Sequence, residues 1–253
     1  MIERHAAHRG AAVTYAGGPA FGDHLVQHLR LPRHKVISVP NGYDPADVAD
    51  LRTAHVHPHR NGQPLKLVMN GYWYGRNGPG ILIDALQRVG PAVAELTVIG
   101  GVSGPIASSL RHATGRPVVH QDTASRRELY ERLQAADAAM VTVDQASAVE
   151  SRIPAKVYDY LAAGVPVIAI CPRGAALLQI PGAERFHHIH PLDVDQLVRL
   201  LGRASLDRAT LRTGTVGAGP SREQGVDTLH RLLRALIAPS RAQRWAAAAG
   251  SSG

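Results

Sequence analysis

A chain of 253 residues with 45% apolar residues is long enough to bury a full core, and its formal charge of +8 suits an anionic partner or reflects an arginine-rich composition in general. The single cysteine, Cys171, excludes an intramolecular disulfide and a thiolate metal cluster. No apolar stretch is long enough to span a bilayer, and the opening MIERHAAHRG does not read as a signal peptide, so the expected setting is the cytoplasm, with peripheral contact at the inner face of a membrane left open.

The first 64 residues supply two short strands, in AAVTYAG and KVISVPNGYD, around one helix, FGDHLVQHLR, followed by the polar linker HVHPHRNGQP. Two strands and a helix are too few to hide their apolar faces. Val13, Leu25, Leu29, Val36 and Ile37 are therefore expected to leave a partly exposed patch.

From Leu65 onward, β-branched runs alternate with amphipathic segments. KLVMN leads to a helix over 79–89, in which Ile81, Leu82, Ala85, Leu86 and Val89 share one face before Gly90. LTVIG, a helix around Ser108 and PVVH follow, then a helix over 126–135 that opens on a capping box, Ser125 with Glu128. AAMVTV, a helix over 155–163, VPVIAI and a weaker strand over 186–189 continue the alternation, and helices around Leu197 and over 222–237 close it. Nearly apolar strands separated by helices predict an α/β fold: a Rossmann-like parallel sheet of about six strands over 65–240, with helices on both faces. The organisation read from this is 1–45 as the remnant of another domain, 46–64 as linker, 65–240 as the main domain and 241–253 as a frayed tail.

Open parallel sheets bind ligands beyond the carboxyl ends of their strands, and the loop at Ser151 follows the strand AAMVTV at that edge. Pro154 is expected to preset the first turn of the next helix, whose free N–H groups and positive dipole end, with Lys156 in the same turn, make an anion site. Asp159 lies one turn on, where a carboxylate suits the paired hydroxyls of a ribose or sugar; an ordinary surface pair of Lys156 with Asp159 is the alternative. Histidines at 55, 57 and 59 and at 187, 188 and 190 could be drawn as metal ligands, but flanking prolines, the lack of a companion cysteine and, for the first three, placement in a linker point away from a metal. A nucleic-acid partner is not expected, because no nucleic-acid motif is evident and aromatics are few.

The stretch IPAKVYDYLAAGVPVIAI, residues 153–170, resembles the signature of the donor-binding half of retaining GT-B-fold glycosyltransferases of family four. SVPNGYD at 38–44 is similar to the interdomain motif of that family, NGYWYGRNGPGILIDAL at 70–86 to its first donor-domain strand, loop and helix, and SREQGVDTLHRLL at 221–233 to its closing helix. The resemblance runs over residues 12–237 with the motifs in the family's order.

It implies a transferase that moves a sugar from a nucleotide-diphosphate sugar, without a metal or other cofactor, to an acceptor the sequence does not identify. Asp159 occupies the position of the family's ribose-binding glutamate, while the sugar-binding glutamate falls on Ser151, with Glu150 beside it. Gly71 and Tyr72, and the loop through Ile153 and Pro154, would line the donor. The two cations that the family aims at the departing diphosphate fall on Tyr72 and Asn77, so Arg76 and Lys156 are the candidates to supply that charge. Because the chain carries only the last strands of an acceptor domain, a separate acceptor-domain chain is a candidate partner. An inactive nucleotide-sugar-binding remnant or partner subunit is the alternative.

Overall fold

The computed structural model describes residues 2–51, 61–71, 79–101, 104, 108–109, 112, 119–121, 124–143 and 153–237. Among these, six parallel strands form one sheet. In chain order they are β3 (Leu65–Asn70), β4 (Ala94–Ile99), β5 (Val119–Gln121), β6 (Ala138–Thr142), β7 (Val167–Ile170) and β8 (His187–Ile189), after β1 (Val13–Tyr15) and β2 (Val36–Ser38) of a separate two-stranded sheet. Their spatial order is β5-β4-β3-β6-β7-β8. The chain thus winds outward from β3 to β5, crosses back to β6 beside β3, and winds the other way, which places a topological switch point between β3 and β6.

The period-two alternation of each strand divides the core into two layers. Leu65, Leu67 and Met69 of β3, Ala138 and Met140 of β6, and Ile168 and Ile170 of β7 face one side. There they meet Leu82, Ala85 and Leu86 of α4 (Pro79–Val89) and Leu197, Leu200 and Leu201 of α7 (Val194–Leu206). The intervening Val68, Ala139, Val141, Val167 and Ala169 face the other side. That layer is covered by Leu129, Tyr130 and Leu133 of α5 (Arg126–Gln134) and by Val157, Tyr160 and Leu161 of α6 (Lys156–Ala163). Burial on both faces is why these strands read as continuous apolar runs.

Helix boundaries follow local chemistry. The Ser125 hydroxyl accepts the Glu128 N–H while the Glu128 carboxylate accepts the Ser125 N–H, so the predicted capping box is made. Gly164 ends α6 at φ +70, the left-handed conformation expected of a glycine cap. The helix expected around Ser108 falls mostly outside the described residues, although Gly104, Ser108, Ser109 and His112 are helical.

The N-terminal segment differs from expectation. A helix not foreseen, α1 (Ile2–Arg9), precedes β1, α2 (Pro19–Leu29) and β2. Ala7 of α1 packs on a small cluster of Tyr15, Leu29, Leu31 and Val36, and the His8 ring bonds the Leu29 carbonyl at 2.9 Å. Leu29 and Val36 are buried and so fall outside the partly exposed patch expected from the sequence, with Ala7 of the added helix and Phe21, Leu25 and Val26 of α2 contributing to their cover. Val13, Leu25 and Ile37 remain half-buried.

Beyond β2 the chain joins the larger body. Asp44 caps a single turn, α3 (Pro45–Val48), through the Ala46 N–H, and Tyr43 and Val48 enter the core layer of α5 and α6. Tyr43 donates its hydroxyl to the Gly217 carbonyl at 2.6 Å, and its backbone pairs with the segment ahead of α8 (Arg222–Ile237). A β-carbon on Gly225 would lie 2.6 Å from the Pro40 oxygen, and one on Gly42 would lie 2.5 Å from the Pro220 oxygen. Only glycines allow this crossing of the two backbones. Most of α8 then stands clear of the body, with Val226, Leu229, Leu233, Leu236 and Ile237 exposed.

At the opposite, amino-terminal edge of the sheet sits a buried ion pair. Arg208 reaches Asp137 at 3.4 Å and donates to the carbonyls of Gln63, Pro64 and Ser205, and Asp137 accepts the Lys66 N–H at 2.9 Å. Both side chains are almost fully excluded from solvent. The network fastens the start of β3 and β6 without taking part in the site.

Candidate functional site at the switch point

Past Val68 and Ala139 the backbones of β3 and β6 no longer pair, so the sheet opens toward its carboxyl edge. An opened parallel ladder leaves amide groups without partners, and burying them so is costly. Tyr160, from the middle of α6, fills the gap. Its hydroxyl accepts the Asn70 N–H at 3.0 Å and lies 3.2 Å from both the Asn70 side-chain oxygen and the Met140 carbonyl. The phenol is wholly buried, and burial pushes its pKa well above the usual tyrosine value. It therefore stays a neutral hydroxyl that braces the floor of the crevice.

Directly above Asn70 the chain turns at Gly71, whose N–H is held by the Ile99 carbonyl at 2.7 Å and whose φ is +90. Gly100, at the end of β4, has φ +121 and packs on the backbone of Gly71 so closely that a β-carbon would lie 2.7 Å from its oxygen. Both positions need glycine. The open side of Gly71 is occupied by Lys156: its Nζ lies 3.2 Å from the point a β-carbon on Gly71 would occupy.

Among the described residues the Lys156 ammonium has no hydrogen-bond or ion-pair partner. Burial lowers its pKa to about 8, since a half-buried cation without a countercharge favours release of its proton. An anion placed there would restore the charged form. Beside it, Ala155 provides no side-chain cap for α6, and the Tyr158 N–H bonds back to the Ala155 carbonyl at 3.1 Å. Pro154 stands just outside the helix, before the Ala155 cap, and not in its first turn as expected. Its carbonyl accepts the Val157 N–H at 3.0 Å, and Ile153 packs against the core layer of α5 and α6. These two residues anchor the loop as it enters the helix.

Asp159 does not pair with Lys156. Its carboxylate accepts from Arg126 at the start of α5, Nη2 to Oδ1 at 2.8 Å and Nη1 to Oδ2 at 3.3 Å, and from the Tyr130 hydroxyl at 3.1 Å. Two helices separated by β6 are thereby joined at their site-facing ends. Arg126 also donates from Nε to Asp47 of α3 at 2.9 Å and lies over the Tyr130 ring, 5.3 Å from its centre. Desolvation works against the guanidinium, but the bonds to Asp159 and Asp47 outweigh it and its pKa is raised; burial and the Asp159 charge raise that of Tyr130. The cluster is a fixed cation, two carboxylates and a neutral phenol.

The structure thus brings Gly71, Lys156, Ile153, Pro154 and Asp159 to one edge of the sheet. Tyr72, Arg76, Glu150 and Ser151 lie outside the described residues, as do Asn77, His55, His57 and His59. The other histidines have local duties. His187 accepts the Arg212 N–H at 3.0 Å, and burial with the Arg212 charge lowers its pKa to about 4. The ring of His188 bonds the Cys171 carbonyl at 2.8 Å and His190 accepts the Leu192 N–H. Among the described residues no three His, Cys, Asp or Glu side chains converge as metal ligands do. Cys171 is fully buried, with its pKa pushed up to about 12 by burial, as fits a structural thiol. No helix among the described residues is long and apolar enough to cross a membrane.

Arg126, Tyr130, Asp47 and Tyr160 were not singled out from the sequence. The signal available for the first two was weak: their spacing places both on one face of a helix that starts at the carboxyl edge of the sheet.

No protein-family model matches the sequence, and no curated protein matches it. Solved structures do. Sucrose-phosphate synthase from Thermosynechococcus elongatus superposes with a TM-score of 0.63 at 20% identity, over 95% of this chain and 62% of that one. Anabaena HepE, solved in complex with UDP and glucose, gives 0.64 at 15% identity, over 94% of this chain and 66% of that one. A glycosyltransferase from Rickettsia africae gives 0.63 at 13% identity, over 94% and 67%. The chain spans about two thirds of the length of these structures or slightly less. At such identities the likeness establishes the fold, which is the Rossmann-like α/β fold found in GT-B glycosyltransferases.

Proposed function

We propose that this chain is the donor-binding part of a retaining glycosyltransferase of family four and binds a nucleotide-diphosphate sugar at the switch point between β3 and β6. The observation that carries the reading is the Lys156 ammonium, half-buried, unpaired among the described residues and set against the backbone of Gly71. A diphosphate bridging Gly71 and the start of α6 meets a formal positive charge, the positive end of the helix dipole and a glycine turn that allows close approach. Asp159 stands one helical turn away, on the side where a ribose attached to that diphosphate would extend. The solved neighbours named as glycosyltransferases, and the one solved with UDP and glucose, support the same reading.

In this reading glycosyl transfer breaks the bond between the anomeric carbon and the diphosphate oxygen, and negative charge gathers on the leaving diphosphate. Lys156 neutralises that charge, with Arg76 assigned the second cation, and preorganised positive charge of this kind is commonly the largest contribution to such a step. No metal is assigned, because the chain's own cations take that role. The acceptor is expected to be presented by another domain, in the same protein or a partner chain, at or near a membrane surface.

Calorimetric titration with UDP, GDP and ADP, with and without a chelator, tests the proposal. Binding of one of them, weakened about tenfold or more by Lys156→Ala, is the expected result, the size following from loss of a charge-assisted contact. Binding by none of the three, or binding indifferent to Lys156, would remove the ligand from this site.

A further inference from the structure

A carboxylate offers about four acceptor positions, two on each oxygen. On Asp159 three are taken among the described residues: Oδ1 accepts from Arg126 Nη2 and from the Tyr130 hydroxyl, and Oδ2 accepts from Arg126 Nη1. One position on Oδ2 stays open. The side chain retains 12% of its accessible surface, so the carboxylate is not sealed from solvent.

The plane of the carboxylate is not free to adjust. Arg126 approaches it as a two-pronged fork, and Asp47 holds the same guanidinium from its other edge, with Nε donating at 2.9 Å and Nη2 lying 2.8 Å from the Asp47 oxygen. Swinging Asp159 toward a ligand would break the fork. Swinging Arg126 away would break its bonds to both acids.

We infer that Arg126 is a positioning residue that fixes the Asp159 carboxylate so that it accepts a hydrogen bond from one ribose hydroxyl of the bound nucleotide and not from both. The inference rests on the nucleotide reading above and deepens it, since it assigns Asp159 a single hydroxyl and Arg126 the duty of presenting it. A lysine at 126 keeps a positive charge but has no planar fork, so it would release the carboxylate to turn.

The test compares UDP with 2′-deoxy-UDP and 3′-deoxy-UDP by titration calorimetry, using the GDP or ADP series if one of those binds more tightly. The whole chain is used, as wild type and as the variants Arg126→Lys and Arg126→Gln, each checked for native circular dichroism. In the wild type, one deoxy analogue is expected to bind about tenfold more weakly than the parent nucleotide because it lacks the hydroxyl that Asp159 accepts. In the variants this ratio falls toward unity, while the ratio for the other analogue is unchanged. Inorganic diphosphate, which has no ribose, binds wild type and variants within about twofold. If neither ratio moves in a folded variant, Arg126 has no positioning role; if both move together, Asp159 takes both hydroxyls. Either result overturns the inference while leaving the nucleotide site intact. Failure of every nucleoside diphosphate to bind the wild type would overturn the nucleotide reading and this inference with it.

Discussion

The ammonium of Lys156 fills the space that a side chain on Gly71 would otherwise take, lying 3.2 Å from the β-carbon position. Replacing Gly71 with alanine therefore has two effects: it strains a backbone held at φ +90 and it displaces the cation. Gly71→Ala is expected to lower stability by about 1–2 kcal/mol in urea melts. It should also weaken binding of UDP, GDP or ADP by more than that loss of stability explains.

The same lysine makes stability and binding respond oppositely to pH. Its pKa is lowered to about 8 in the fold against about 10.4 in the unfolded chain, so between those values the unfolded state binds more protons and stability rises with pH. Below about pH 8 the buried cation opposes folding by on the order of 1–3 kcal/mol, a range discounted for its partial exposure. Lys156→Met is thus expected to stabilise the unliganded protein at pH 7 and to abolish the pH-dependent gain between 8 and 10. A bound diphosphate favours the charged lysine, so affinity should fall above pH 8 and binding should take up protons there, measured by calorimetry in buffers of different ionisation enthalpy. A flat affinity across pH 7–10 would show that Lys156 does not meet the anion.

Tyr160 offers a test of the crevice floor. Tyr160→Phe removes a hydroxyl that serves the Asn70 N–H and the Met140 carbonyl, at a predicted cost of about 1–3 kcal/mol for the buried groups left unpaired. Hydrogen exchange at Asn70 should accelerate selectively. Unchanged exchange there would mean the split between β3 and β6 is closed by something else.

At the far edge of the sheet the Arg208–Asp137 pair is expected to matter for stability alone. Arg208→Ala leaves Asp137 buried beside a cavity, and breaking such a pair costs about 3–5 kcal/mol. Nucleotide affinity, measured well below the melting temperature, should match the wild type. A loss of affinity in a folded variant would contradict the separation of the two edges.

The doubly wound sheet was legible because its signals are local. Each strand is a short apolar run with its own punctuation, and both faces of Val167–Ile170 are buried, so no alternation had to be resolved. Helix limits at Ser125 and Gly164 were set by side chains within a turn of each boundary. The helix at Ile2–Arg9 was missed because it has almost no apolar stripe and is held by Ala7 and by the bond from His8 to Leu29.

The site was partly legible for the same reason. Lys156 and Asp159 share one helix and invited pairing with each other, whereas the actual partner of Asp159 is Arg126, on a different helix 33 positions earlier. No periodicity within one element can announce a bond between two. The local duties of His187 and His188, bonded to the Arg212 N–H and the Cys171 carbonyl, were equally beyond reach of the sequence, because their partners lie 25 and 17 positions away.

The crossing of Tyr43 with Gly217 and Ser221 also bears on how the protein acquires its shape. Its hydroxyl bond joins residues 174 positions apart, so forming it closes a loop that contains the entire six-stranded sheet. Chain entropy disfavours that closure until the intervening segments have already condensed, so it is expected to form after the rate-limiting barrier. Weakening the crossing, as with Gly42→Ala or Gly225→Ala, is therefore expected to leave the refolding rate nearly unchanged and to speed unfolding, with α8 the first element released. The lifetime of the assembled molecule is then governed by a few backbone atoms where the chain meets itself.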